Sequence, residues 1–125
     1  MKFKPSLPIT QGLLFTYSFE NTRDEERELR IKSINVNDSA ELGKLFDMFT
    51  NPEFAEYKQE EREWHINTLK YFLSTDETFE SVLYLFNTYF KDEIIDKRNF
   101  MKVLLDRLTK YNEEIKEQKS KNLNS

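Results

Sequence analysis

His65 is the only histidine of the chain, and it lies four residues after Glu61. On a helix, two side chains at this spacing share one face, so they are candidate ligands for a metal ion. A zinc site needs three or four such ligands, and the chain offers no second histidine and no cysteine. We therefore predict no metal site and expect a half-buried histidine beside Trp64.

The sequence contains no catalytic motif that we can identify. No serine sits in a glycine-flanked elbow, and Gly12 and Gly43 do not form a phosphate-binding loop. Neighbouring carboxylates are frequent, but acid–base catalysis needs a pair held in a cleft, and nothing marks one pair as buried. We predict a protein that is not an enzyme and that carries no cofactor.

The acidic residues are grouped in two clusters that would suit a basic partner. Residues 20–28 hold five acids and residues 53–63 hold five more. An aromatic anchor inside a charged rim is an efficient binding hot spot, and Trp64 directly follows the second cluster. The predicted partner contacts are Asp24, Glu25, Glu26, Glu28, Glu60, Glu61, Glu63 and Trp64. The alternative is that the acids only keep the protein soluble and that the aromatic belongs to the core.

The net charge of −4 is unevenly distributed along the chain. Residues 20–96 carry 19 acids and 9 bases, whereas residues 97–125 carry 8 bases and 4 acids. An acidic body disfavours duplex DNA as the main ligand, because phosphate binding needs a concentrated basic surface. The basic C-terminal segment leaves a weak nucleic-acid binder as a third hypothesis.

Two stretches near the start of the chain favour β-strands. Residues 13–19 alternate aromatic side chains with small polar ones, and residues 29–36 partly repeat the alternation with a bulge near Ser33. Residues 20–28 are a polar connector between them, so we predict an N-terminal β-hairpin. The alternative is a helix that begins near Thr22.

Helical patterns dominate from residue 38 onwards. Asp38 begins a capping box, and Asn51-Pro52 is expected to end the first helix and to begin a second that continues to about residue 73. A second capping box at residues 74–77 precedes a stretch to residue 90 that is apolar on nearly all sides. We expect that helix to lie at the centre of the fold.

The predicted fold class is mainly α (α+β), with an N-terminal β-hairpin followed by a bundle of about four helices. Residues 1–117 form one globular domain, and residues 118–125 are expected to fray as a polar tail. No disulfide is possible without cysteine, and neither a signal peptide nor an apolar membrane span is recognisable. We expect a cytoplasmic protein that does not enter a membrane.

These features favour a protein that binds another protein. The leading hypothesis is a bacterial or phage inhibitor of the immunity or antitoxin type, whose acidic surface neutralises a basic partner such as a toxin nuclease. The alternative is a helical adaptor or regulatory subunit that docks through apolar helix faces, including a homodimer formed by the last helix. Strong salt sensitivity of the complex would favour the first hypothesis.

Overall fold

The computed structural model describes residues 3–18, 25–84 and 90–123. Within these ranges the chain is mainly helical, as predicted. The elements are α1 (Leu7–Leu14), a 3₁₀ turn (Phe15–Tyr17), α2 (Glu25–Lys32), α3 (Ser39–Leu45), a π-helical segment (Phe46–Thr50), α4 (Asn51–Ala55), α5 (Gln59–Leu73), α6 (Glu80–Tyr84) and α7 (Lys97–Leu123).

The predicted β-hairpin is wrong, because both of its proposed strands are largely helical. Pro8 stands in the first turn of α1, where its missing N–H is not needed. Leu13, Leu14 and Tyr17 are buried together. Their spacing of three and four residues is that of a helix, and it prevails over the aromatic alternation. In α2 the buried side chains are Arg27 and Ile31, again four apart, which supports the helical alternative.

The boundary predicted at Asn51-Pro52 is a π-helical segment within one continuous helical run from α3 to α4. Proline lacks an N–H, and its ring collides with the carbonyl of the residue four positions earlier. The wider π turn over Phe46–Thr50 relieves that collision, and the Asn51 N–H bonds to the Phe46 carbonyl instead. The predicted cap at the other end is confirmed, since the Asp38 carboxylate accepts from the Ala40 and Glu41 amides.

The second predicted helix is interrupted at residues 56–58, between α4 and α5. Arg62 stabilises this interruption, because its guanidinium donates to the carbonyl of Tyr57 and to Asn112 Oδ1 on α7, the latter at 3.0 Å. The same side chain donates to Gln59 Oε1 at 2.7 Å. One buried arginine therefore joins the break, the first turn of α5 and the last helix.

The helix predicted over residues 77–90 begins later, at Glu80, and it is described only to Tyr84 because residues 85–89 lie outside the described ranges. The connection before it is held by Arg98, which donates to the carbonyls of Leu73, Thr75 and Glu77 at 2.7, 3.0 and 2.8 Å. Phe79 has a φ of 63°, a strained value for a residue with a side chain, and its ring is fully buried.

The central element is α7 rather than the helix after residue 77. It packs against α3, α4 and α5. Its buried face consists of Phe100, Met101, Leu104, Leu108 and Tyr111. The helix continues to Leu123, six residues beyond the predicted end of the domain. In the parts of the chain that the structure describes, no helix has the length and apolarity needed to span a membrane.

Candidate protein-binding surface

The first acidic cluster occupies the first turn of α2, where the sequence reads Glu25-Glu26-Arg27-Glu28. Glu25 and Glu26 are exposed and Glu28 is half-buried, whereas Arg27 is only 8% exposed. The Arg27 guanidinium donates to the carbonyl of Thr16 at 2.6 Å and also to the Thr16 hydroxyl, and it lies 5.1 Å from the ring centre of Phe49. Arg27, the one base of the cluster that the structure describes, is therefore directed inwards. Asp24, also a predicted contact, lies outside the described residues.

The second cluster repeats this arrangement with the same four residue types, Glu60-Glu61-Arg62-Glu63, at the start of α5. Arg62 is 2% exposed and makes the internal hydrogen bonds described above. Glu60 and Glu63 are exposed, and Glu61 is half-buried. Glu63 accepts from Gln59 at 3.0 Å and lies 3.7 Å from the ammonium of Lys116 on α7.

Both clusters present carboxylates to solvent because their intervening arginines are withdrawn into the protein. A surface base beside these acids weakens their field. Arg27 and Arg62 do not do so, whereas the exposed Arg30 pairs with Glu26 at 3.0 Å and Lys116 lies 3.7 Å from Glu63. The positions also suit the helices, since carboxylates near a helix N-terminus interact favourably with its dipole, by about 0.3–1 kcal/mol each. The clusters have different neighbours: the first lies near the 3₁₀ turn and Phe49, the second beside α7.

Trp64 is half-buried, and its indole is already engaged by the N-terminal segment. Its Nε1–H donates to the Lys4 carbonyl at 2.6 Å, and the ring of Phe3 meets it edge-on with centroids 5.5 Å apart. The predicted hot spot is thus covered in part by residues of the same chain. This contact was difficult to predict from the sequence, because 60 residues separate Lys4 from Trp64.

His65 is more deeply buried than expected, with 7% exposure. Its ring stacks on Tyr57, with centroids 5.2 Å apart and planes inclined by 13°, and it also contacts Phe54. Burial lowers the pKa of His65 to about 4, and the nearby Glu61 opposes this shift only in part. The imidazole is therefore neutral at pH 7 and acts as a packed aromatic ring.

Two further polar arrangements lie outside the predicted site. Asp47 accepts from the Tyr111 hydroxyl at 2.5 Å and from Arg107 at 3.2 Å, and burial together with this carboxylate raises the pKa of Tyr111. Tyr17 is fully buried, and its hydroxyl lies 2.7 Å from the Thr50 hydroxyl in the π-helical segment. Burial raises the pKa of Tyr17 as well. Both hydroxyls stay protonated at neutral pH, and both are hydrogen-bonded to side chains of the π-helical segment.

A pocket of about 610 Å³ lies between the end of α6 and the start of α7. Its lining combines three apolar residues with three acids, a serine and a lysine; the lining residues are Glu80, Ser81, Leu83, Phe90, Asp92, Glu93, Ile94 and Lys97. Across the described ranges, no three potential ligands among histidine, aspartate and glutamate are grouped so as to hold a metal ion.

Comparison with known proteins adds no functional information. No protein-family model matches the sequence, and neither the curated proteins nor the solved structures include a significant match. The residues missed at the sequence level are Arg27 and Arg62. Their signal was present in the repeated Glu-Glu-Arg-Glu, in which the arginine is four residues from Ile31 and Ile66 respectively, on the apolar side of each helix.

Proposed function

We propose that this protein is a non-enzymatic, cytoplasmic inhibitor of the immunity or antitoxin type, which binds a basic protein partner through its acidic surface. The observation that carries the proposal is the inward orientation of Arg27 and Arg62, at 8% and 2% exposure, within two clusters in which Glu25, Glu26, Glu60 and Glu63 are exposed. A toxin nuclease is the kind of partner whose basic surface would complement these clusters.

The physical role of such a surface is to accelerate and orient association. Clustered charge of one sign steers an oppositely charged partner and raises the association rate by about 10- to 1,000-fold at low ionic strength. The effect weakens as salt is added, because the screening length falls to about 10 Å at 0.1 M. The proposal therefore requires a complex whose association rate falls steeply with ionic strength.

The test uses the tagged full-length chain to capture its partner from the native host at low salt. We expect the captured protein to be basic, to associate more slowly as NaCl is raised from 0.05 to 0.5 M, and to be toxic unless co-expressed with this chain. The triple variant Glu60→Lys, Glu61→Lys, Glu63→Lys should slow association by at least tenfold while leaving the far-UV circular dichroism spectrum unchanged.

The matched control is Glu113→Lys, Glu114→Lys, Glu117→Lys, which changes the net charge equally at three exposed acids of α7. It should affect association much less, because those acids lie outside both clusters. If the two triple variants slow association equally, the slowing is an effect of net charge and not of the second cluster. A captured partner whose binding is indifferent to salt would refute the proposal.

Docking through an apolar helix face receives less support from the surface. Phe15, Leu29, Met48, Tyr71 and Ile95 are the large apolar side chains exposed in the described ranges. They are distributed over the 3₁₀ turn, α2, the π-helical segment, α5 and the connection before α7. An adaptor or a homodimer interface would instead present them on one face of one helix.

A further inference from the structure

The N-terminal segment lies along α5 as an extended strap. Ser6 has φ −145° and ψ 114°, and its N–H donates to the hydroxyl of Thr68 at 3.3 Å. Two residues earlier, the Lys4 carbonyl accepts from Trp64 Nε1 at 2.6 Å. The strap is therefore bound through its main chain at alternate residues, as expected for an extended peptide.

The surface under the strap is a single row of α5. Glu60, Trp64 and Thr68 are spaced by four residues, so they lie one above another on the helix. The strap contacts Thr68 through Ser6 and Trp64 through Lys4, and Phe3 packs against the edge of the indole. Continued in the same direction, the row leads from Trp64 to the carboxylates of the second acidic cluster.

The strap lies at the surface of the protein. Lys4 and Pro5 are exposed, and Phe3 and Ser6 are only half-buried. A segment tethered to its site is present at an effective concentration in the millimolar range, so weak contacts are enough to keep it in place. The printed contacts use main-chain groups and one aromatic ring, and the second acidic cluster lies next to them on α5. Another extended segment with an aromatic side chain and a neighbouring positive charge can therefore replace the strap.

We propose that the row Glu60, Trp64 and Thr68 is a recognition groove for an extended segment of the partner that carries an aromatic residue next to a lysine or arginine. Residues 3–6 occupy this groove in the same chain and are displaced when the partner binds. This inference rests on the proposed function in so far as the partner is basic, and it adds the local chemistry that the partner must present.

The test measures binding of a synthetic peptide with the sequence of residues 1–8 to the full-length protein. The strap is released by Phe3→Ala combined with Ser6→Pro, since proline removes the N–H that bonds to Thr68 and cannot adopt a φ near −145°. Trp64 is the only tryptophan, so its fluorescence reports occupation of the groove. We expect the released variant to bind the peptide at least tenfold more tightly than the wild type.

Two controls make the result specific. A peptide with alanine in place of its phenylalanine should bind at least fivefold more weakly to the released variant. Phe3→Ala alone, which leaves the backbone contacts in place, should give an intermediate affinity and covers the case in which Ser6→Pro disturbs the fold. Equal peptide binding by the wild type and Phe3→Ala, or no detectable binding to either variant, would overturn the inference.

The peptide assay tests the groove and the capture assay tests the proposed function, so one hypothesis can be refuted without the other. If the released variant binds the peptide but the captured partner tolerates the triple change at Glu60, Glu61 and Glu63, the row binds the chain's own segment but is not the site of the partner's basic residue, and the acidic surface is not the inhibitor's interface. If the partner is lost on charge reversal but the peptide never binds, the proposed function stands and the groove is refuted.

Discussion

Arg27 and Arg62 show that the type of a residue does not determine whether its side chain lies at the surface or in the interior. Both stand in the same four-residue sequence, surrounded by acids, and both would suit a surface ion pair. Both instead lie inside the protein and donate to main-chain carbonyls, at Thr16 and Tyr57. The reason is helical spacing: the third residue of each quartet falls on the side of Ile31 or Ile66, which pack in the core.

Replacing Arg62 by methionine should destabilise the protein strongly. The substitution leaves the carbonyl of Tyr57 and the side-chain oxygens of Gln59 and Asn112 without their donor, and unsatisfied buried groups cost about 1–3 kcal/mol each. We expect the free energy of unfolding, measured by urea denaturation, to fall by about 2–4 kcal/mol. Arg30→Met is the control, since Arg30 is exposed and pairs only with Glu26. It should change stability by about 0.5 kcal/mol or less. Similar losses in both variants would contradict the structural role of Arg62.

His65 predicts a pH dependence of stability. Its pKa is lowered to about 4 in the folded protein, against an ordinary value of 6.5. Between pH 6.5 and 4 the unfolded chain binds a proton that the folded protein does not, so stability is full above pH 6.5 and falls as the pH is lowered through this window. The loss attributable to this residue reaches about 3 kcal/mol by pH 4.

The measurement is chemical denaturation at several pH values from 7.5 to 4.5, on the wild type and on His65→Gln. The variant removes the titrating group, so its stability should fall less over the same range, although it will be less stable at pH 7. Parallel curves for the two proteins would show that His65 makes no contribution to the acid sensitivity.

At the scale of the elements, the sequence predicted the helical class and the cap at Asp38, and the prediction of two strands within residues 13–36 was wrong. Both incorrect strand predictions have the same cause, which is the residue spacing at which buried side chains recur. A short aromatic alternation resembles a strand, but burial in fact follows the spacing of Leu14 and Tyr17, and of Arg27 and Ile31. The π-helical segment was not predictable either, because proline usually ends a helix and only tertiary packing shows that the chain continues through it.

Gly43 of α3 lies directly against the guanidinium of Arg107 on α7. A Cβ at this position would lie 2.7 Å from Nε and 2.8 Å from Cζ of Arg107, whose guanidinium pairs with Asp47. In the wild type, Gly43→Ala should therefore displace Arg107 and lower the free energy of unfolding. In an Arg107→Ala background the same change should raise it by up to about 1 kcal/mol, because alanine is the better helix former.

A double-mutant cycle by thermal or urea denaturation measures this coupling directly. The prediction requires opposite signs for Gly43→Ala in the two backgrounds. The same sign and magnitude in both would mean that the close approach of the guanidinium does not matter for packing. Gly12→Ala is a useful reference, since a Cβ at Gly12 would meet no neighbouring atom within 4 Å.

For the molecule as a whole, the composition predicted an acidic protein, but it did not predict which charged side chains face the solvent. The sequence places Glu25, Glu26, Glu60 and Glu63 near arginines, and only the fold shows that the arginines turn away from them. The sequence also indicated Trp64 beside the second cluster, but the strap that partly covers it comes from the N-terminal residues, 60 positions away in the chain. Contacts between residues so distant in sequence depend on tertiary packing, which no local pattern contains.

The acids of both clusters have two separable effects, on helix stability and on association. Neutralising one cluster, as in Glu25→Gln, Glu26→Gln and Glu28→Gln, removes the favourable interaction with the N-terminus of α2 and should lower stability by about 1–2 kcal/mol in total. If the acids act as one field on a basic partner, neutralising either cluster also slows association, and neutralising both multiplies the two effects at low salt. Stopped-flow association with the captured partner, beside urea denaturation of each variant, separates these contributions. Lower stability with unchanged association rates would mean that the clusters only stabilise the helices. The reason is that removing a charge field that steers the partner must slow association.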